Sequence, residues 1–409
     1  MEYKCKVTVV DAMMGAGKSS AAINYINSSQ DSDESFLIIT PYLPEVERYR
    51  KECPTKGFKA PSYEEGRGSK LESLKKQISR GENIVSTHAL FQKFDDELMD
   101  LCRIKNYTLI MDEVTDVIEK YEITSSDLEV LKENFVTVDE NTGIIHWRED
   151  RADYKGKFSE VKRLCEIESL ACYGDSILMW LFPVQAFNCF GRVFILTYMF
   201  KAQLQRHYYD YYNLEYSFMG VDYIDGKYQF TDNLIHFKNR ANYNELIHII
   251  DSPKMNRIGD RTTDLSLAWF KRNKGTVVMT ELKRNITNFF RNIRTDNSKD
   301  NIWSTFKDYR TAVKGKGYSR GYIPLNCRAT NDYQDRTSVA YLANRYMNPV
   351  IKNFFEQHGV EVDEDGYALS EMLQFIWRSA IRCGNEIWVY IPSSRMRELL
   401  ADWIEENSK

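Results

Sequence analysis

The chain has 409 residues, more than one hydrophobic core usually organises, so two lobes of ordinary size are expected. Its 43% apolar and 28% charged residues exclude a disordered or fibrous chain. A formal net charge of -4 excludes a uniformly basic nucleic-acid wrapper, though a basic groove can sit on an acidic body.

From the N-terminus, Met1 to Lys6 runs directly into the strand-like Val7 to Val10 and shows no apolar signal core. The eight cysteines are scattered without a Cys-x-x-Cys pair, so neither a zinc site nor a disulfide framework is expected. A reducing cytoplasm is the compartment these features imply. Up to about residue 120, short apolar runs at Lys6 to Asp11, Phe36 to Thr40, Asn83 to Ser86 and Thr108 to Met111 alternate with helical patterns. That alternation predicts a mostly parallel α/β sheet, and such sheets place ligands outside the C-terminal ends of their strands.

The first run is followed by Ala12-Met-Met-Gly-Ala-Gly-Lys-Ser19 and a helical Ser20 to Ile26, which is the context of a phosphate-binding loop. Small residues let consecutive N–H groups curl round a β-phosphate, and the helix N-terminus adds positive potential. Ala12, Met13, Met14, Gly15, Ala16, Gly17, Lys18, Ser19 and Ser20 are the expected nucleotide contacts. Lys18 is assigned to the β- and γ-phosphates and the Ser19 hydroxyl to Mg²⁺. Ala12 stands where the full motif begins with glycine.

Leu109 to Val114 is an apolar strand ending in two carboxylates. Beside a phosphate loop, Asp112 is expected to hold Mg²⁺ with Ser19, and Glu113 to polarise the attacking water. An Asp-Glu pair alone would mark only a solvated strand end; its pairing with the loop makes the assignment.

The text then turns charged and irregular, and residues from about 119 to 190 are expected to be an insertion. In it, Glu140 to Gly143 reads as a hairpin turn and Phe158 to Leu170 as a helix. Ile177 to Phe200 is apolar enough to raise a membrane span, but Pro183, Gln185, Asn188 and Arg192 interrupt it. The expected reading is a buried helix, a turn at Gly191-Arg192, then a buried strand from Val193 to Thr197, with Tyr208 to Phe218 crossing to a second lobe. The lobes are expected at 1–204 and 205–409. The second should hold a strand at Gly275 to Met279, a basic helix at Lys283 to Arg294, a loop at Lys314 to Gly317, and a closing helix-strand-helix from Ser370 to Glu406. The basic stretch from Lys283 to Arg320, with Trp303, is a candidate strand-binding groove.

Taken together, these motifs resemble superfamily 2 helicases of the DExD/H type, especially compact ATPases of phage replication and recombination modules. The resemblance covers most of the chain and is weakest between residues 120 and 190. Asp112-Glu-Val-Thr115 is similar to the DExx motif, Ile39 to Tyr42 and Ser86 to Leu90 to motifs that touch the nucleic-acid backbone, and Thr197-Tyr-Met199 sits where the coupling motif falls. The resemblance implies backbone contacts at Thr40, Thr87 and His88, further contacts at Arg328, Thr330 and Asn331, and a coupling role for Thr197. Ser370 to Arg382 resembles the motif through which a second lobe offers arginines to the γ-phosphate. There Gln374 and Arg378 keep the family spacing, Trp377 replaces a glycine, and Arg382 falls one residue late. On a helix Arg378 and Arg382 would share a face, so either can serve as the finger.

The implied fold is two tandem RecA-like lobes with ATP and Mg²⁺ in the cleft between them. The implied activity is a DNA helicase or translocase, monomeric when free, working in the cytoplasm with replication or recombination proteins. Only ten or so residues precede the loop, too few for the upstream glutamine motif of RNA helicases, so DNA rather than RNA is the expected track. Two other readings stand beside it: a packaging-type or ring-forming regulatory ATPase, and a nucleotide-gated adaptor with negligible turnover.

Overall fold

A computed structural model describes residues 6–29, 34–174, 176–233, 241–295, 297–325 and 332–408. The chain divides into two compact units, one of Met1–His236 with Asn348–Val362 and one of Phe237–Met347 with Asp363–Lys409.

In chain order the first unit carries β1 (Lys6–Asp11), helix α1 (Lys18–Ser28), β2 (Ser35–Thr40), β3 (Ile84–Thr87) and β4 (Tyr107–Asp112). An inserted region follows with β5 (Ile118–Tyr121), β6 (Val136–Val138), β7 (Ile145–Trp147), β8 (Leu170–Tyr173) and β9 (Ile177–Leu181). The chain then returns as β10 (Arg192–Thr197), β11 (Tyr216–Ile224) and β12 (Lys227–Thr231). The main sheet has the order β12-β11-β1-β10-β4-β2-β3. All neighbours in it run parallel except β12, which is antiparallel to β11. Both faces of its centre are covered, which is why Phe36 to Ile39 and Leu109 to Met111 read as continuous apolar runs and are fully buried.

The inserted region has its own sheet, β5-β9-β8, its own hairpin, β6-β7, and its own core around Leu131, Ile145, Leu164 and Leu170. The hairpin turn falls at Asp139 to Gly143, where the Asp139 carboxylate accepts from the amides of Asn141 and Thr142. The expected helix is present as Ser159–Glu166. Ile177 to Leu181, expected as helix, is a strand instead, because its apolar residues complete an antiparallel ladder with Leu170 to Tyr173.

The expected crossing at Tyr208 to Phe218 does not leave the first unit. Its residues form the helix Leu204–Tyr211 and the start of β11, which pairs with β1, so the chain stays in the first sheet beyond residue 204. The helix Pro349–Gln357 also belongs to this unit, its Phe354 and Phe355 rings packing on Tyr211.

The second unit has a four-stranded parallel sheet, β13 (Ile247–Ile249), β14 (Asn301–Ser304), β15 (Ser338–Tyr341) and β16 (Ile387–Tyr390), in the order β13-β16-β15-β14. Gly275 to Met279, expected as a strand, opens the helix Val277–Asn288. Val277 is 84% exposed while Met279, Leu282 and Ile286 are buried, a helical period that begins only after the β-branched pair has passed. The closing helix-strand-helix is present as Glu364–Ile376, β16 and Ser394–Asn407. Among the described residues, no helix is long and apolar enough to cross a membrane.

Candidate functional site

The site is built at the C-terminal edge of the first unit's sheet. β1 ends at Asp11, and residues 12 to 17 turn the chain into α1. Two of them need glycine: Gly15 has φ 79° and Gly17 has φ 87°, in the left-handed region where a Cβ is strained. The Ala12 amide donates to Thr197 O at 3.0 Å, and Ala16 donates to Met13 O at 3.1 Å, so the loop is tied to β10 and closed on itself. Met13 and Met14 are half-buried and Gly15 is exposed at the crest.

Lys18, the first residue of α1, is buried and folds its ammonium back over the loop, donating to Ala12 O at 2.6 Å and Met13 O at 3.1 Å. Ser19 faces the other way across the sheet edge, where its Oγ donates to Asp112 Oδ2 at 2.9 Å. The Tyr49 hydroxyl donates to the same oxygen at 3.3 Å. Burial, with Glu113 and Glu45 nearby, pushes the Asp112 carboxyl up to about 6, while the Ser19 hydrogen bond and Lys18 oppose the rise. Asp112 is therefore mostly ionised at neutral pH. Ser19 and Asp112 together offer two oxygens of the hard kind a divalent cation takes. Ser20 accepts from Arg48 Nη2 at 3.0 Å.

Glu113 takes φ 75°, a strained value for a side chain of its size, and its amide donates to Leu196 O at 2.9 Å. Thr197 lies opposite Asp11 in the ladder, fully buried, and its hydroxyl has no hydrogen-bond partner among the described residues.

Several residues that complete this edge carry no motif. The Asp11 carboxylate accepts from the amides of Met199 and Phe200 at 2.9 and 3.0 Å, fixing the turn after β10. Burial raises its pKa against those two bonds. Gln205 accepts from the Thr115 amide at 3.0 Å and donates to the Tyr209 hydroxyl at 2.8 Å, which ties the segment after Glu113 to the next helix. A strand ending in Asp before the glycine loop was the available signal for Asp11; Tyr49 and Gln205 had none.

Of the expected nucleic-acid contacts, Thr40 and Thr87 are register partners on β2 and β3. Thr40 is fully buried, and its hydroxyl is engaged within its own turn, accepting from the Tyr42 amide at 3.2 Å. Thr87 and His88 are half-buried at the start of the short helix His88–Phe91. Arg328, Thr330 and Asn331 lie outside the described residues.

In the second unit, Arg378 and Arg382 do not share a helical face. The helix ends at Ile376, and Ser379 is extended (ψ -172°) before a short 3-10 turn. Arg378 is buried, Arg382 is exposed, and Gln374 is half-buried in the last helical turn. Trp377 stands in the glycine's place because its ring packs on Tyr243 and Trp403. Trp303, expected in a groove, is fully buried with its Nε1 donating to Tyr318 O at 2.7 Å. The Arg294 guanidinium lies 3.6 Å from the centroid of Trp388. Lys254, Arg257, Lys283 and Arg284 converge around a recess of about 940 Å³.

An α/β protein with two parallel-sheet units and a glycine loop at one sheet edge is the class defined so far. The chain belongs to the YonV family: the YonV C-terminal Rossmann-like domain matches residues 241–404, and the YonV middle domain matches residues 118–180. It is 39% identical over 410 residues to the SPbeta prophage-derived uncharacterized protein YonV of Bacillus subtilis (strain 168), covering 98% of this chain and 99% of that one. Among solved structures it is similar to the DUF1998 helicase MrfA bound to DNA and AMPPNP, at 10% identity and a TM-score of 0.33, over 99% of this chain and 49% of that one. It is also similar to the Pyrococcus furiosus Hef helicase domain, at 8% identity and a TM-score of 0.31, over 98% and 95% of the two chains. The chain thus spans about half the length of the MrfA chain.

Proposed function

We propose that this chain is a nucleic-acid-dependent ATPase that converts ATP hydrolysis into movement along, or remodelling of, DNA. The observation that carries the nucleotide part is the 2.9 Å hydrogen bond from Ser19 to Asp112, which joins the residue after the loop lysine to an acidic strand end 93 residues later. A glycine loop alone would turn a strand into a helix; a hydroxyl and a carboxylate meeting beside it make a pair suited to Mg²⁺.

In this reading the amides of residues 14 to 18 receive the β-phosphate at the N-terminus of α1. Lys18 exchanges its two loop carbonyls for phosphate oxygens, a charge-assisted bond replacing neutral acceptors. Mg²⁺ when bound would screen the phosphate charge, with Ser19 and Asp112 as its holders. Glu113, set by its left-handed backbone at the end of β4, orients water toward the γ-phosphate. Thr197, on the strand between β1 and β4, is suited to register a change at either neighbour. The DNA part rests on the order of the motifs from Lys18 through Asp112 and Glu113 to Gln374, Arg378 and Arg382.

The test is ATP turnover by the purified chain, alone and with single-stranded, duplex and forked DNA and with RNA, at one fixed moderate salt. Stimulation by DNA and loss of turnover in Lys18→Ala are the expected results. Turnover retained in Lys18→Ala refutes the site, ATP binding without stimulation by any polymer favours an adaptor, and equal stimulation by RNA refutes the DNA preference.

A further inference from the structure

The β11–β12 hairpin has a tip that the sheet does not need. β1 pairs with β11 only as far as Val10 with Met219, yet the hairpin ladder continues to Tyr223 with Tyr228 and Ile224 with Lys227. At ~3.3 Å per residue, its tip stands roughly 16 Å beyond the last β1 pair, past the edge where the glycine loop sits.

One face of this hairpin looks onto α1. Phe230 stacks on Phe194, with centroids 5.4 Å apart, and packs on Tyr25 of α1 at 5.9 Å. Tyr228, two residues earlier in the strand, shares that face and reaches the start of the helix: a Cβ built on Gly17 would lie 2.3 Å from Tyr228 Cδ1. Tyr223 meets the Tyr228 ring edge-on at 4.9 Å and is 54% exposed. The aromatic face is thus closed at Phe230 and open at the tip, beside the loop.

Sheet order says which end of a ligand comes here. β11 and β12 lie on one side of β1, whereas β10 and β4, with Asp112, lie on the other. A triphosphate whose terminal phosphates are drawn by Ser19 and Asp112 extends its nucleoside away from them, toward the hairpin. We propose that Tyr228, supported by Tyr223, is the base-stacking wall of the nucleotide site and takes the flat face of a purine. The ring offers its π-face and no hydrogen-bond pattern that tells purines apart, so the wall selects for a base and not for which one. This proposal rests on the phosphate-loop reading of residues 12 to 20.

The experiment compares Mg²⁺-dependent binding of ATP and inorganic tripolyphosphate by calorimetry, in the full chain and in Tyr228→Leu and Tyr228→Phe. Base stacking on an aromatic ring gives an expected loss of roughly ten-fold in ATP affinity for Tyr228→Leu, with tripolyphosphate affinity unchanged and Tyr228→Phe near wild type. Equal weakening of both ligands in Tyr228→Leu, or equal binding of ATP and tripolyphosphate by the unaltered chain, overturns the stacking role while leaving the phosphate loop standing. Failure of the unaltered chain to bind either ligand overturns the loop reading and the wall with it.

Discussion

Gly15 and Gly17 share a backbone conformation but not a neighbourhood, so alanine at each separates two effects. Both have φ near 80°, at 79° and 87°, and a Cβ at either position carries the left-handed cost of roughly 1–2 kcal/mol. Around Gly15, its two chain neighbours aside, nothing among the described residues lies within 4 Å of an added Cβ. At Gly17 that atom would lie 2.3, 2.5 and 2.6 Å from three carbons of the Tyr228 ring, and overpacking of this kind adds roughly 1–3 kcal/mol. Gly15→Ala should therefore cost the first unit ~1–2 kcal/mol, and Gly17→Ala ~2–5 kcal/mol. Urea unfolding monitored on the first unit measures both, and in thermal melts each kcal/mol corresponds to roughly 2–4 °C. Tyr228→Ala removes the ring that the new Cβ meets, so Gly17→Ala made in the Tyr228→Ala background should cost about as much as Gly15→Ala, a coupling of at least ~1 kcal/mol between the pair. Equal losses at the two glycines, or strict additivity in the double variant, would refute the contact and the placement of the hairpin beside the loop.

Glu113 holds a left-handed backbone, so Glu113→Gly should keep or raise stability by up to about 1 kcal/mol where Glu113→Ala does not, as melts would show. Glu113→Gln should lower ATP turnover by about 100-fold or more with nucleotide binding intact; unchanged turnover would remove Glu113 from the chemistry. Burial, reinforced by Arg206, holds His207 down to about 4, below its unfolded value of roughly 6.5. Because the folded pKa is the lower one, its stabilising contribution is complete above pH ~6.5 and is lost as pH falls toward 4, by about 3 kcal/mol in all. His207→Leu should flatten that part of the stability profile, and an unaltered slope would rule the residue out as its source. In the second unit, Arg378→Ala should cost about 2 kcal/mol or more because the guanidinium is buried, whereas Arg382→Ala at an exposed position should stay within ~0.5 kcal/mol. Equal stability losses would contradict the break at Ser379 that sends the two arginines apart.

The glycine loop, the buried parallel strands and the acidic end of β4 were legible in the sequence because each is a local matter. Gly15 and Gly17 answer a backbone requirement within six residues, and runs such as Phe36 to Ile39 record burial on both faces of one strand. Local signals also misled where two periods begin alike: Val277-Val278 has the β-branched look of a strand, and only Met279, Leu282 and Ile286 reveal the helix. The same holds at Ile177 to Leu181, where an apolar run fits either element until Leu170 to Tyr173 supplies a strand to pair with.

What the tertiary structure alone decided is which distant groups meet. Ser19 reaches Asp112, and Tyr49 joins them, because parallel crossovers bring α1, β4 and the helix after β2 to one edge, and no nearest-neighbour preference encodes that convergence. The hairpin beside Gly17 exists because β11 pairs with β1 instead of leaving the unit, and Trp377 is buried where its ring finds Tyr243 and Trp403. Sequence records the conformational and burial demands each residue makes on its own stretch of chain. The partner that satisfies them is chosen by packing across the whole unit.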